Sequence, residues 1–234
     1  MKRSRITLYK QLLFATLFTV TLTAGVNAAH AALAIDYTVT GDSLSSIIYD
    51  PSLDAFLHGN NLTVTGVTGT DTQLNAGVTL PILNGALNFQ TGALTSATGT
   101  TWNFGSGGTI TLQGGISAIG LPSNTTLITG SFNSASVTEL ALGTYQFDIV
   151  GATFGDSDNP NIYQYFGVPD NSTCTNALNL SFIGTSNAGG GFTSINNYGG
   201  VVVDSPTPTP IPAAAWLFGS GLMGLVGLRR KTRC

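Results

Sequence analysis

The sequence predicts an all-β exported domain, an antiparallel β-sandwich or jelly-roll-like fold, flanked by an N-terminal signal helix and a C-terminal transmembrane helix. Short apolar runs recur roughly every ten residues between clusters of Gly, Asn, Ser and Pro, which is typical of such folds. Between residues 32 and 204 no helix-like periodicity extends beyond a turn or two. A single apolar run at each end of the chain lies beside basic residues.

The candidate strands alternate apolar and polar residues, most plainly in Thr-Ile-Thr-Leu and Tyr-Gln-Phe-Asp-Ile-Val. The second run places Tyr145, Phe147 and Ile149 on one face. Residues 47–57 are predicted to form a short helix or helical turn near Asp50, and the Asn- and Gly-rich residues 184–200 an irregular loop. The predicted strands are 35–40, 62–67, 78–83, 87–90, 109–112, 126–132, 136–142, 145–150, 178–183 and 201–203.

Charge is distributed unevenly along the chain. Only 8% of residues are charged, so solubility must come from hydroxyl and amide groups. All eight Lys and Arg residues lie in residues 1–10 and 229–234, whereas all eleven acidic residues lie between Asp36 and Asp204. Because phosphate binding relies on Lys and Arg, this purely anionic middle excludes a nucleic-acid partner.

Residues 1–31 are predicted to be a secretory signal peptide. The basic start MKRSRITLYK precedes an apolar run over 12–22 and small residues at Ala29 and Ala31, the two positions that signal peptidase reads. Cleavage after Ala31 is preferred, with Ala28 as the alternative site. An uncleaved anchor remains open, although the apolar run is short for a permanent span. Residues 32–204 would then be the exported β-rich domain.

The C-terminal end is predicted to contain a linker, a membrane-spanning helix and a short basic tail. Residues 205–212 form a Pro/Thr linker with a sorting motif, and residues 213–228 are apolar and uncharged. Sixteen helical residues span about 24 Å, which is short for a bilayer but workable with an interfacial Trp and snorkelling basic residues. The positive-inside rule keeps the tail 229–234 in the cytoplasm. A buried C-terminal helix of the globular domain is the alternative.

The order of residues in this end resembles the PEP-CTERM sorting tail of Gram-negative bacteria, in its V-P-L-P-A subtype. Ile211 stands where that subtype usually has Leu. The resemblance implies recognition by an exosortase, cleavage near the proline pair, and a mature form at the cell surface or outside the cell, released or re-anchored. It also implies bacteria that make exopolysaccharide and biofilm. The matching residues are Pro210, Pro212, Ala213, Trp216, Gly219, Gly221, Arg229, Arg230 and Lys231.

The exported domain is predicted to be a non-enzymatic structural or adhesive part of that polysaccharide layer, with no cofactor. Four aromatic residues, Trp102, Tyr163, Tyr165 and Phe166, either stack on sugars or fill the core. Cys174 and Cys234 should lie on opposite sides of the membrane, which leaves Cys174 buried or open to pairing with another chain.

A calcium-dependent carbohydrate-binding module is the first alternative. Residues 155–161 read as an oxygen-rich turn, in which Asp156 and Asp158 offer carboxylates to calcium. The segment lacks the glycine and distal glutamate of an EF-hand loop. An ordinary Asx-rich turn explains the same residues.

An esterase is the second alternative. Residues 41–44 spell Gly-Asp-Ser-Leu, the signature of the GDSL esterases, with Ser43 after a candidate strand. Such chemistry needs a histidine base oriented by an acid, and His58 is the only histidine after the signal peptide. Asp54 lies four residues before it, whereas that family carries Asp-x-x-His late in the chain. The lack of alternating helices also argues against this fold.

Overall fold

The structure, a computed structural model, describes residues 33–41, 44–140, 146–169, 173–187 and 189–207. The predicted signal peptide, sorting motif and membrane helix lie outside these residues, as do Ser43 and Tyr145. The described chain contains one short helix, α1 (Pro160–Phe166), and a single 3-10 turn at Ser117–Ile119. The strands are β1 (Ala34–Thr40), β2 (Ser46–Tyr49), β3 (Phe56–Thr70), β4 (Thr79–Thr98), β5 (Thr101–Phe104), β6 (Gly107–Ile116), β7 (Leu121–Glu139), β8 (Gln146–Asp158), β9 (Thr173–Ser186) and β10 (Phe192–Thr207).

Every pairing between these strands is antiparallel, which confirms the predicted all-β antiparallel class. The pairings run in a circuit from β1 through β3, β4, β6, β7, β8, β9 and β10 back to β1. The short strands β2 and β5 each pair with two longer strands. Each strand therefore has partners on both sides, which leaves no long unpaired edge in the described chain to recruit another chain.

The first and last strands are neighbours. β1 pairs with β10 from Ile35 opposite Asp204 to Thr40 opposite Gly199. Because the two strands are antiparallel, the first residues of β1 lie beside the C-terminal residues of β10. The chain therefore enters and leaves this domain at the same end.

The strands bury alternate residues in one apolar core. In β1 the side chains of Ile35, Tyr37 and Val39 are buried, and in β10 Val202 alternates with half-buried neighbours. Burying each large apolar side chain contributes about 1.5–3 kcal/mol, so the aromatic residues dominate this core. The largest fully buried side chains are Tyr37, Phe104, Phe132, Phe166, Phe182 and Phe192.

The short helix predicted as one option over residues 47–57 is wrong, whereas the alternative, a helical turn near Asp50, is confirmed. The N–H groups of Leu53 and Asp54 donate to the carbonyl of Asp50 at 3.0 and 3.1 Å. Ile47 and Tyr49 are buried on one face of β2, a period of two that suits a strand. The chain then reverses because the Asp50 carboxylate accepts hydrogen bonds from the backbone N–H (2.9 Å) and the hydroxyl (2.7 Å) of Ser52. These bonds also hold the pKa of Asp50 below its usual value. β3 starts directly afterwards at Phe56.

The loop predicted over residues 184–200 is also wrong. β9 continues to Ser186 and β10 begins at Phe192, so only a tight connection separates them. Gly190 has a φ of 90°, a conformation that other residues rarely adopt, and its N–H donates to the carbonyl of Asn187. The Asn and Gly residues of β10 remain within the strand, and its pairing with β9 shifts register twice among them.

Residues 155–158 do not form the predicted oxygen-rich turn. They are the end of β8, and the chain then turns into α1 at Asn159. Asn159 caps the helix, since its side-chain oxygen accepts from the N–H of Asn161 at 3.1 Å, and Pro160 takes the first helical position. Gly167 ends the helix at a φ of 71°. Sequence reasoning missed this helix, although the Asn-Pro start and the Gly end were its signals.

Replacing Asn159 with Ala is expected to destabilise the domain by about 1 kcal/mol. The change removes the cap and the hydrogen bond from Asn159 Nδ2 to the carbonyl of Thr126 in β7 (3.3 Å). Denaturant unfolding measures the difference. Replacing the exposed Asn161 with Ala is the control, because its described role is as a backbone donor, and an equal loss from both variants would contradict the cap.

β10 continues to Thr207, three residues into the segment predicted as a linker. Its pairing with β9 carries Pro206 opposite Cys174, whereas its pairing with β1 ends at Asp204. A proline, which has no N–H to donate, is tolerated where one side of a strand lacks a partner. The extended Pro/Thr segment thus begins as the end of a strand.

Candidate functional site

The structure describes few of the residues predicted to function. The cleavage residues Ala29 and Ala31 and the whole sorting motif lie outside the described chain. Asp156 and Asp158 are placed in β8, where their backbones lie opposite Gly130 and Ile128 of β7. Within the described residues no three His, Cys, Asp or Glu side chains are grouped to hold a metal. Calcium binding stays a prediction, and a lower melting temperature in chelator would support it.

Of the four aromatic residues predicted either to stack on sugars or to fill the core, two lie in the core and two are half-buried against it. Phe166 and Tyr163 are buried on the inner side of α1, so the sugar-stacking interpretation is wrong for both. Tyr165 is half-buried, and its ring packs edge-on against Phe166 at 5.0 Å between centroids. Trp102 packs against Phe192 at 5.1 Å, and its indole N–H donates to the carbonyl of Gly190 at 2.9 Å.

The side chains of Asp54 and His58 are in direct contact. Their Oδ2 and Nε2 atoms are 2.8 Å apart, and the side chains are 37% and 30% exposed. The other Asp54 oxygen accepts from the N–H of Phe56 at 2.9 Å, and this bond, followed by the contact with His58, lowers the pKa of Asp54. Burial, with a smaller effect of Asp50 and Asp54, raises the pKa of the nearby Tyr49 hydroxyl.

Replacing Asp54 with Asn is expected to cost about 0.5 kcal/mol or less at neutral pH, because this pair is exposed. The pKa of Asp54 is lower in the folded than in the unfolded protein, so its contribution is present above about pH 4. It disappears as the pH falls through the folded pKa. As the pH is lowered from 7 to 2, the melting temperature should therefore fall less steeply for the variant than for the wild type. Identical slopes for the two proteins would contradict this prediction.

The Asp54–His58 pair is an imidazole oriented by a carboxylate, the two supporting parts of an acyl-transfer site. The hydroxyl that such a site needs is predicted at Ser43, outside the described residues. In the sheet, His58 lies between Ile48 of β2 and Gln90 of β4. The backbone of Cys174 lies in β9, and the state of its thiol stays a prediction.

Sequence reasoning missed a buried polar cluster at the end of the domain where the chain enters and leaves. Asp204 of β10 and Asn176 of β9 are opposite each other, and both are 0% exposed. The hydroxyl of Tyr163, on α1, donates to Asp204 Oδ2 at 2.8 Å. Asp204 Oδ1 and both polar atoms of the Asn176 side chain have no hydrogen-bond partner. We call these three residues the Asp204 cluster.

The geometry defines an all-β antiparallel domain closed at one end by a short helix. No helix among the described residues is long and apolar enough to cross a membrane. Comparison of the chain with known protein families, with curated proteins and with solved structures gives no match.

Proposed function

We propose that this chain is an exported protein of the cell surface or extracellular matrix, sorted by an exosortase and structural or adhesive within an exopolysaccharide layer. It is made with a signal peptide and held in the inner membrane through residues 213–228 until it is cleaved near Pro210 and Pro212. The supporting observation is the confinement of every Lys and Arg to the two ends of the chain, around an anionic middle. In this proposal the domain is not an enzyme.

The positions of the chain ends support this topology. β1 begins directly after the predicted signal peptide, and β10 leads directly into the predicted linker. Since Ile35 lies opposite Asp204, both connections leave from one end of the domain. A domain attached in this way is held through that end, and its other surfaces are free to contact a matrix.

The strand circuit also suits a structural role. Each of the described strands has at least two partners, so the part of the domain that the structure describes offers no long edge for uncontrolled pairing at high surface concentration. We propose that the circuit is a flattened, two-layered sandwich or jelly-roll-like arrangement. The predicted signal and membrane helices belong to the same proposal.

Fractionation of the producing cells tests the proposed function. The wild-type protein should be recovered with the exopolysaccharide layer, and deletion of its gene should weaken that layer or the attachment of cells to it. A strain with the His58→Ala variant is the control for enzymatic action and should restore the layer fully. Recovery of the protein in the cytosol, or a normal layer in the deletion strain, would contradict the proposal.

A hydrolase acting on esters or matrix polymer is the second candidate, and the 2.8 Å contact between Asp54 and His58 favours it. In this scheme His58 takes the proton of the Ser43 hydroxyl and Asp54 orients the imidazole. Turnover of a chromogenic ester should fall at least 100-fold in both Ser43→Ala and His58→Ala. Equal background turnover by the wild type and both variants would eliminate the hydrolase.

A further inference from the structure

The Asp204 cluster leaves buried polar atoms unsatisfied. Asp204 and Asn176 are fully buried, yet Asp204 Oδ1, Asn176 Oδ1 and Asn176 Nδ2 have no partner. Leaving a buried polar group without a hydrogen bond costs about 1–3 kcal/mol. Three such atoms on two facing residues are explained if a small molecule or ion binds beside them.

The charges near Asp204 indicate which class of ligand could bind there. A buried carboxylate is normally paired with a cation. The chain has no Lys or Arg between Lys10 and Arg229, and the one imidazole among the described residues, that of His58, is bound to Asp54. The Tyr163 hydroxyl gives Asp204 a hydrogen bond but no positive charge. A water molecule alone would satisfy hydrogen bonds but would likewise add no positive charge beside Asp204.

We propose that the folded domain encloses a monovalent cation of the sodium class between Asp204 and Asn176. The two oxygen atoms without a hydrogen-bond partner belong to a carboxylate and an amide. Such hard oxygen ligands bind alkali and alkaline-earth cations in preference to soft metals. A single carboxylate balances a single positive charge. One water molecule retained by the cation accepts the remaining hydrogen bond, from Asn176 Nδ2.

The cation ties together the two strands that it touches. Asp204 is the last residue of β10 paired with β1, and Tyr163 fastens α1 to the same carboxylate. An occupied site therefore stabilises the end of the domain from which the predicted linker leaves. This inference does not depend on the proposed function, since it concerns the folded domain alone.

Calorimetric melting of the natively processed protein tests the site in sodium chloride and in tetramethylammonium chloride at equal ionic strength. The large organic cation cannot enter, so the melting temperature should be several degrees lower in it. The Asp204→Asn variant should lose this difference, whereas Asp54→Asn, which changes an exposed carboxylate, should keep it. Equal melting temperatures of the wild-type protein in the two salts would overturn the proposal.

Crystals grown in rubidium chloride provide a second measurement that does not require a variant to fold. An anomalous scattering peak beside Asp204 Oδ1 and Asn176 Oδ1 is expected. A peak absent at that position, with only water density, would overturn the cation site. Stabilisation by calcium chloride in the absence of sodium, with no effect of sodium itself, would overturn the monovalent assignment.

Discussion

Replacing Pro210 and Pro212 together with Ala is expected to abolish processing of the C-terminal end. The resemblance to an exosortase-sorted tail places the cleavage near this proline pair. Prolines keep a backbone extended and free of helix, which presents it to a protease, whereas Ala residues would allow the helix predicted over residues 213–228 to extend towards the domain. The variant should therefore remain in the inner membrane as a larger, uncleaved form, detected by membrane fractionation and gel mobility.

The prolines at 206 and 208 provide a matched control for this experiment. They precede the proposed motif in the same Pro/Thr segment. A variant with Pro206→Ala and Pro208→Ala should be processed like the wild type. Normal processing of the Pro210 and Pro212 variant, or failure of both variants, would contradict recognition at the proline pair.

Phe166→Ala is expected to destabilise the domain by about 3–5 kcal/mol. Phe166 is fully buried, and its ring lies so close to the backbone of Gly69 that a Cβ placed there would clash with Phe166 Cδ1. Its carbonyl accepts from the N–H of Leu74, so the residue anchors α1 to the segment after β3. The melting temperature should fall by roughly 10 °C, measured by calorimetry.

Two further variants separate packing from helix propensity. Gln164→Ala changes an exposed residue of the same helix and should shift stability by about 0.5 kcal/mol or less. Gly69→Ala should be destabilising in the wild type but less so together with Phe166→Ala, because the ring that it meets is then absent. Additive effects of the two changes would show that α1 does not pack on Gly69 in this way.

The eight longer strands could be located from the sequence, but their lengths and the two short strands β2 and β5 could not. Residues 78–83 and 87–90 were predicted as two strands because Asn84 and Gly85 form a turn signal. In the structure both lie within β4, where Asn84 has a φ of 53° and the pairing shifts register. A Cβ at Gly85 would clash with the carbonyl oxygen of Val64, so glycine permits a bulge here rather than a turn.

Long-range packing explains the segments that sequence reasoning missed. Residues 47–57 were predicted to form a short helix or helical turn near Asp50, but β3 and β10 offer partners on both sides of β2. Likewise, β9 pairs with residues of 192–200 despite their Gly and Asn content. Such partners come from distant parts of the chain, and local propensity does not record them.

Sequence reasoning provided some indication of the Asp54–His58 pair but none of the Asp204 cluster. The four-residue spacing of Asp54 and His58 departs from the esterase pattern and argued against a catalytic pair, yet the structure joins them at 2.8 Å. Asp204 was assigned to the end of the domain, although it follows Val202 on the buried face of β10. Its partner Asn176 is 28 residues away along the chain and becomes its neighbour only through the pairing of β9 with β10.

The central claim is that this chain is exported and then cut at both ends. Intact-mass spectrometry of the protein recovered from producing cells, with and without the sorting protease, tests it most directly. With the protease, the mass should correspond to a chain that begins at Ala32 and ends near Pro212; without it, residues up to Cys234 should remain. A cytosolic protein that retains both Met1 and Cys234 would contradict the account.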